Sequence, residues 1–327
     1  MHAVVTIEQR LPAIPQPVSD RTRQVIRSRH AESTRRAYAA DVRAFDAWVR
    51  AKGLGDALAA SPAVVADFLT EQADAGLKPA TLTRRLAAIR YMVAEAQELG
   101  RLDPNVPVPT DAKVVRDAMA GIRRTVGTAQ RKAAPATADR LRAMLDACGD
   151  GLQGLRDRAL LALGFGGAFR RGELVALTVA DIEATADGLM VRLVRSKTDQ
   201  EGRGQQVPVL DGPRLRVKAA LEDWIAAAGI TEGPVFRTLG KGGRVLPRAL
   251  TDRSVADIVK LRAEQAGLDP ALFSGHSLRA GFLTSAATAG ASVFSMMAVS
   301  RHRKVDTLAG YVRAGQAFRD HAGQAFM

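Results

Sequence analysis

The sequence predicts a mainly helical protein of two domains, with a small antiparallel β-sheet in the second. Three observations carry this. Apolar residues repeat at spacings of 4, 3 and 4 in Tyr38, Val42, Phe45 and Val49, and again in Leu82, Leu86, Ile89 and Val93, the period of helices with one face inward. Residues 189–194 alternate like a strand, 205–210 look like its partner, and the polar segment 197–204 joins them. Between helical stretches, GTAQRKAAPAT at 127–137 lacks periodicity and contains Pro135, which marks a domain boundary.

Taken in order, Pro12, Pro15 and Pro17 make residues 1–19 an extended arm. A helix then begins near Ser33, with Arg35, Arg36 and Arg43 mostly off its apolar stripe. A second follows Ser61-Pro62, where serine caps and proline fits the first turn, and stops near Gly76. A third follows Pro79, with Thr81, Arg84 and Arg85 off its stripe, and a fourth runs over about 111–124 to Arg123 and Arg124. In any one helix these arginines read as a solvated face; several basic amphipathic helices in one small bundle point to DNA contact. The first domain is therefore placed at 20–128, the linker at 129–136 and the second domain at 137–327. In the second, helices are expected over 138–147 and 155–165, then the hairpin, then helices again beyond Pro213.

The chain has 327 residues, 47% of them hydrophobic, with a formal charge of +13 and a pI of about 10.6. Residues 1–133 hold 21 basic against 14 acidic side chains and the rest 26 against 20, so the excess is spread as along a duplex track rather than a tail. Cys148 is the lone cysteine, which excludes an internal disulfide and a cysteine-based zinc site. No secretory leader and no membrane-length apolar run are recognisable, so a cytoplasmic, DNA-associated protein is expected.

The residues with chemical potential are individually weak signals. Arg170 in GGAFRRGELVAL reads as a helix-start arginine paired with Glu173. In SGHSLRAG, His276 and Arg279 sit at i,i+3; on a helix opening near Gly275 they would share a face near its positive end, a suitable place for a phosphate. His302 precedes Tyr311 by nine residues. Of three tyrosines, Tyr38 and Tyr91 fall on core-type helices, leaving Tyr311.

In this order the set resembles the tyrosine recombinase (phage integrase) family: an arginine followed by x-x-E-L, a lysine on a β-hairpin, HxxR, a second histidine, and the nucleophilic tyrosine. Here these are Arg170, Glu173, Lys197, His276, Arg279, His302 and Tyr311. SGHSLR and RSKT look like Cre-type members, and STRRAYAADVRAFDAW and PATLTRRLAAIRYM look like the helical core-binding domain, so the resemblance spans nearly the whole chain. Two departures stand out. Ser300-Arg301 occupies the place usually held by Leu-Gly before the second histidine, and about sixteen residues follow Tyr311, enough for one short helix.

The resemblance implies a core-binding domain and a catalytic domain closing on DNA as a clamp, and a site-specific recombinase working by transesterification through a covalent 3′-phosphotyrosine. It implies Arg170 and Arg279 on the nonbridging oxygens, Tyr311 as nucleophile, His276 as base, Lys197 as acid to the leaving 5′-oxygen, His302 donating to a nonbridging oxygen, and Glu173 orienting the neighbouring histidine or lysine. The cationic cluster is expected to favour the phenolate. Its partners would be a double-stranded DNA recombination site and three further protomers in a tetramer, with a monomer when free. A covalent intermediate that conserves the phosphoester needs no ATP, cofactor or metal, and the sequence lacks a GxxxxGK[ST] loop; 240–243 is only a glycine-rich turn. Two other readings stay open: a type IB topoisomerase-like enzyme, and a DNA-binding accessory protein that has lost catalysis.

Overall fold

The computed structural model describes residues 19–128, 133–194 and 204–316. Lys197, residues 1–18, linker residues 129–132 and the tail beyond 316 lie outside them. The chain divides into two compact units, 1–130 and 131–327.

The first unit is helical throughout. It comprises α1 (Asp20–Arg27), α2 (Glu32–Ala51), α3 (Pro62–Asp74), α4 (Pro79–Glu98) and α5 (Lys113–Val126). Ser61 accepts from the Val64 amide at 3.3 Å, and Pro62 opens α3, as the capping logic requires. Phe45 and Val49 of α2, Val65, Phe68 and Leu69 of α3, Leu82 and Ile89 of α4, and Met119 of α5 make one buried cluster. Tyr38 and Tyr91 leave that core for its margin, where with His30 they form a three-ring cluster with centroids 5.4–5.8 Å apart. Asp41 is buried at 4% exposure and is held by Arg84, whose Nε and Nη2 donate at 2.7 and 3.1 Å.

The second unit opens with α6 (Ala138–Asp146) and α7 (Leu152–Gly166). α7 is apolar nearly all round because it is enclosed nearly all round: Leu160, Leu161, Leu163 and Ala159 have no exposure. At Gly164 the packing is close enough that a Cβ would press on the terminal methyls of Leu278 and Leu174. After α8 (Arg171–Ala176), a three-stranded antiparallel sheet follows in the order β1 (Ile182–Ala184), β2 (Gly188–Leu193) and β3 (Gln205–Leu210). Leu193 pairs with Gln205, so the segment carrying Lys197 is the connection of this hairpin. α9 (Val217–Ala227) packs on α7, and Trp224 donates to the Val235 carbonyl at 2.9 Å.

The expectation of helices alone beyond Pro213 is overturned. β4 (Arg237–Leu239) pairs antiparallel with β5 (Val245–Ala249) across the glycine-rich turn. Both strands are short, β4 is half-buried along its length, and β5 is half-buried at its ends with Pro247 and Arg248 exposed, so no alternation betrays them. α10 (Asp252–Gln265), α11 (Ser277–Thr288), α12 (Val293–Ser300) and α13 (Val305–Gln316) complete the unit.

Two internal fastenings brace this unit. Asp157 has no exposure and is gripped from both sides, by Arg156 through Nε and Nη2 at 2.9 and 2.8 Å and by Arg262 at 3.0 and 2.6 Å. The segment entering the unit is pinned from just before α11 and along it: the Ala134 amide donates to the Leu272 carbonyl, ahead of α11, at 2.7 Å, Ala136 to Ser277 at 2.9 Å, and Ala138 to Ser285 Oγ at 3.0 Å. Gly281 permits this approach, since a Cβ there would run into the Ala136 carbonyl.

Candidate functional site

Three places in the second unit converge: the turn between α7 and α8, the start of α11, and the end of α12 with α13. At the first, Gly167 and Ala168 end α7, Ala168 taking φ 46°, and Arg170 caps α8. Glu173, at the third helical position, reaches back to the Arg170 amide at 2.8 Å, the acidic half of a capping box, and its other oxygen accepts from Arg170 Nη1 at 2.6 Å. The helix pairing foreseen for Arg170 and Glu173 is thus present. Glu173 does not orient a histidine among the described residues; its second partner is Arg301 Nη2, at 2.8 Å. Guanidinium forks reach the buried carboxylate first, from both sides. Burial pushes the Glu173 carboxyl up, but Arg301 and then the Arg170 amide and guanidinium outweigh it and hold the pKa below its ordinary value.

At the start of α11, His276 is the capping residue and is exposed, while Arg279 lies one turn in with no exposure. Both add to the effect of burial in lowering the pKa of His302, Arg279 from inside the unit, where backbone carbonyls hold it, and His276 from the exposed capping position. Arg279 Nη1 donates to Ala168 O at 2.7 Å, and Nη2 to Ser300 O and to the His302 ring, whose nitrogens lie at 3.3 Å. Its Nε is buried with no hydrogen-bond partner. Burial and then the neighbouring charges of Arg170 and Arg301 pull its pKa well down, with Glu173 and Tyr311 acting the other way. A dense cationic cluster of this kind favours an entering anion.

At the end of α12, Ser300 Oγ lies 2.6 Å from the Met296 carbonyl and 2.8 Å from His302 Nδ1. A hydroxyl has one hydrogen and a carbonyl can only accept, so Ser300 donates to Met296 and accepts from an Nδ1–H of His302. That leaves Nε2 as the ring's acceptor. Burial first, then Arg279, Arg170, His276 and Arg301, push the His302 pKa down to about 4. In the free protein His302 therefore cannot donate from Nε2 to a phosphate oxygen; the charge of an entering phosphate is what would restore that proton.

Tyr311 stands on α13, half-buried against Leu283, Ala287, Met296 and Leu308. Its hydroxyl feels two opposed influences: burial raises its pKa, and the Arg279 charge lowers it less. The Arg279 charge thus acts in the expected direction, toward the phenolate, but burial outweighs it and the net shift is upward. Arg301 was missed as a site residue; the only signal was a charged side chain beside His302.

Of the expected DNA-contact residues, Arg35, Arg36, Arg43, Arg123 and Arg124 are exposed and Thr81 is partly so. Arg36 and Arg43, seven apart on α2, lie on one stripe. Arg84 is half-exposed and divided between solvent and Asp41. Arg85 is largely covered: its side chain is 16% exposed, turned toward Asp41 and Gln72 and over the Phe68 ring, where it braces the bundle. No helix among the described residues is long and apolar enough to cross a membrane.

A family model described as the phage integrase family matches residues 136–317, and one described as the phage integrase N-terminal SAM-like domain matches residues 23–98. The chain is 38% identical over 295 residues to an integrase/recombinase xerD homolog of Selenomonas ruminantium, covering 89% of this chain and 84% of the relative. It is 25% identical over 340 residues to recombinase cre of Escherichia phage P1, covering 96% and 95%. Two solved structures share the fold. One is a Tn1549 transposon integrase in complex with transposon right end DNA, with TM-score 0.62 and 13% identity over 91% of this chain and 96% of that one. The other is a lambda integrase dimer bound to a COC′ core site, with TM-score 0.60 and 18% identity over 90% and 94%.

Proposed function

The chain belongs to the phage integrase family and is a tyrosine recombinase, and from that premise we propose that it cuts and rejoins double-stranded DNA at specific sites through a covalent 3′-phosphotyrosine on Tyr311. The observation that carries the assignment of residues is the convergence of Arg170, Arg279 and the neutral His302, with the His302 ring against Arg279 and the Arg279 charge reaching the Tyr311 hydroxyl.

In the reaction, Tyr311 Oη attacks phosphorus, the bond to the 5′-oxygen breaks, and the phosphoester is conserved on the tyrosine. The 5′-hydroxyl of a partner strand then reverses the step. Arg170 and Arg279 hold the nonbridging oxygens, where charge grows in the transition state. Because burial keeps the Tyr311 proton on, a base is needed, and the exposed His276 is assigned that role. Lys197, on the β2–β3 connection, supplies the proton to the leaving oxygen. His302, recharged by the arriving phosphate, donates to a nonbridging oxygen. Glu173 fixes Arg170.

Residues 20–128 form the core-binding domain, with Arg35, Arg36, Arg43, Arg123 and Arg124 on the phosphate backbone, and 137–327 form the catalytic domain. Exchange between two duplexes takes four active centres, hence a tetramer on DNA, in the DNA-bearing compartment of the cell.

Covalent selection tests this. The protein is incubated with duplexes carrying a randomised core, denatured, and the protein-linked DNA amplified through successive rounds. Convergence on one sequence, with a nucleotide adduct on the Tyr311 peptide and none in Tyr311→Phe, is the expected result. Specific duplex binding without any adduct, even on nicked versions of the bound sequence, would refute catalysis.

A further inference from the structure

Arg301 has an improbable place for an arginine. It ends α12 in the left-handed conformation, φ 60°, where glycine is the undemanding choice, and its side chain is 1% exposed. Both features are unfavourable locally, so the reason for this residue lies in what its side chain reaches.

It reaches one anchor of each phosphate-binding arginine, the Glu173 carboxylate of Arg170 and the Ala168 carbonyl of Arg279. Nη1 donates to the Gly167 and Val299 carbonyls at 2.9 and 2.6 Å, and Nη2 to Ala168 O at 3.1 Å and Glu173 Oε2 at 2.8 Å. Its guanidinium carbon stands 5.0 Å from the Phe169 ring centroid. Glu173 also binds Arg170, and Ala168 O also accepts from Arg279. Ala168 is the other non-glycine residue with positive φ among the described residues, so both backbone outliers belong to one hydrogen-bonded hub.

We propose that Arg301 is a positioning residue that sets Arg170 and Arg279 in one frame, tying the first through the Glu173 carboxylate and the second through the Ala168 carbonyl. This rests on the recombinase reading, in which those two arginines take the nonbridging oxygens. Arg301 itself is too deeply covered to touch DNA. Lysine cannot replace it: an ammonium keeps the charge but not the planar fork that meets three carbonyls and a carboxylate together.

The test compares the wild-type chain with Arg301→Lys and Arg301→Gly. Three quantities are read: the thermal midpoint, the affinity for the selected duplex, and the single-turnover rate of Tyr311 adduct formation on a nicked version of that duplex. Arg301→Lys is expected to bind the duplex as wild type does and to form the adduct about 100-fold more slowly, the scale of a small misplacement of reacting groups. A folded Arg301→Lys protein with the wild-type adduct rate overturns the proposal, as does a loss of duplex affinity that accounts for the whole effect. If lysine prevents folding, Arg301→Gly, whose backbone suits φ 60°, is judged by the same criteria. Should the wild-type protein form no adduct, the recombinase reading has failed, and titration with inorganic phosphate separates the two ideas. Arginine side-chain NMR would then follow Arg170 and Arg279. A phosphate affinity about tenfold weaker in the variant sustains the positioning role, and equal affinity overturns it.

Discussion

Lowering the pH is a direct probe of the cationic cluster, through His302. Its pKa falls from an ordinary 6.5 to about 4 because the ring is buried and then because Arg279, Arg170, His276 and Arg301 surround it. Between those two values the unfolded chain holds a proton that the folded chain refuses. The contribution is therefore complete above the unfolded pKa, declines as pH falls below about 6.5, and is gone by about 4. The gap corresponds to at most about 3.4 kcal/mol, and because the ring is partly exposed about 1.5–3 kcal/mol is the working range. Urea unfolding of the wild type and of His302→Asn, at several pH values from about 7.5 down to 4.5, isolates this part. Asparagine offers an amide to Ser300 but does not titrate. Glu173 and the other carboxylates titrate in both proteins and cancel in the difference. The stability difference between the two proteins should thus move in favour of the variant by that amount on acidification. Inorganic phosphate should reduce the shift by offsetting the arginines. Parallel stability curves for the two proteins would refute the reasoning, because neither burial nor the arginines would then be holding the ring neutral.

Other expected outcomes concern the frame around the site. Gly281→Ala should destabilise the second unit by about 1–3 kcal/mol in urea unfolding, since the new methyl displaces the Ala136 carbonyl. Asp157→Asn should cost about 3–5 kcal/mol, because Arg156 and Arg262 are left facing a neutral group in a buried place. Replacing Arg36 and Arg43 by glutamine should lower the slope of log affinity against log salt by about 0.9 for each phosphate no longer neutralised, measured on the selected duplex. The same change at Arg85 should instead lower the thermal midpoint.

The range of each interaction decides whether the sequence discloses it or hides it. The stripes Tyr38–Val42–Phe45–Val49 and Leu82–Leu86–Ile89–Val93 are local, and α2 and α4 appear where they predict, with Phe45, Val49, Leu82, Ile89 and Val93 buried. Local capping disclosed α3 through Ser61-Pro62. β4 and β5 escaped because a half-buried ribbon has no clean inner face to write into alternate positions. The roles of Arg85 and Arg301 escaped for a different reason. Each is decided by partners on other elements, Gln72 and Asp41 for the first and Glu173 for the second, and no single helical window contains both sides. The ordered motif disclosed which residues to look for. It could not disclose that Arg279 is covered, that His302 spends its Nδ1–H on Ser300, or that burial holds the proton on Tyr311.

The pinning of residues 134–138 along α11 has a mechanical consequence. The stretch that leads in from the linker buries Ala136 in the core and is bonded to the Leu272 and Ser277 carbonyls and to the Ser285 hydroxyl, on both sides of Arg279 in sequence. A tug arriving from residue 133 is therefore met first at Leu272, just ahead of the helix that carries Arg279, and next by that helix itself through Ser277 and Ser285. The same backbone that supplies the guanidinium is the mooring for the incoming chain, so tension in the tether and the set of the active centre cannot vary independently.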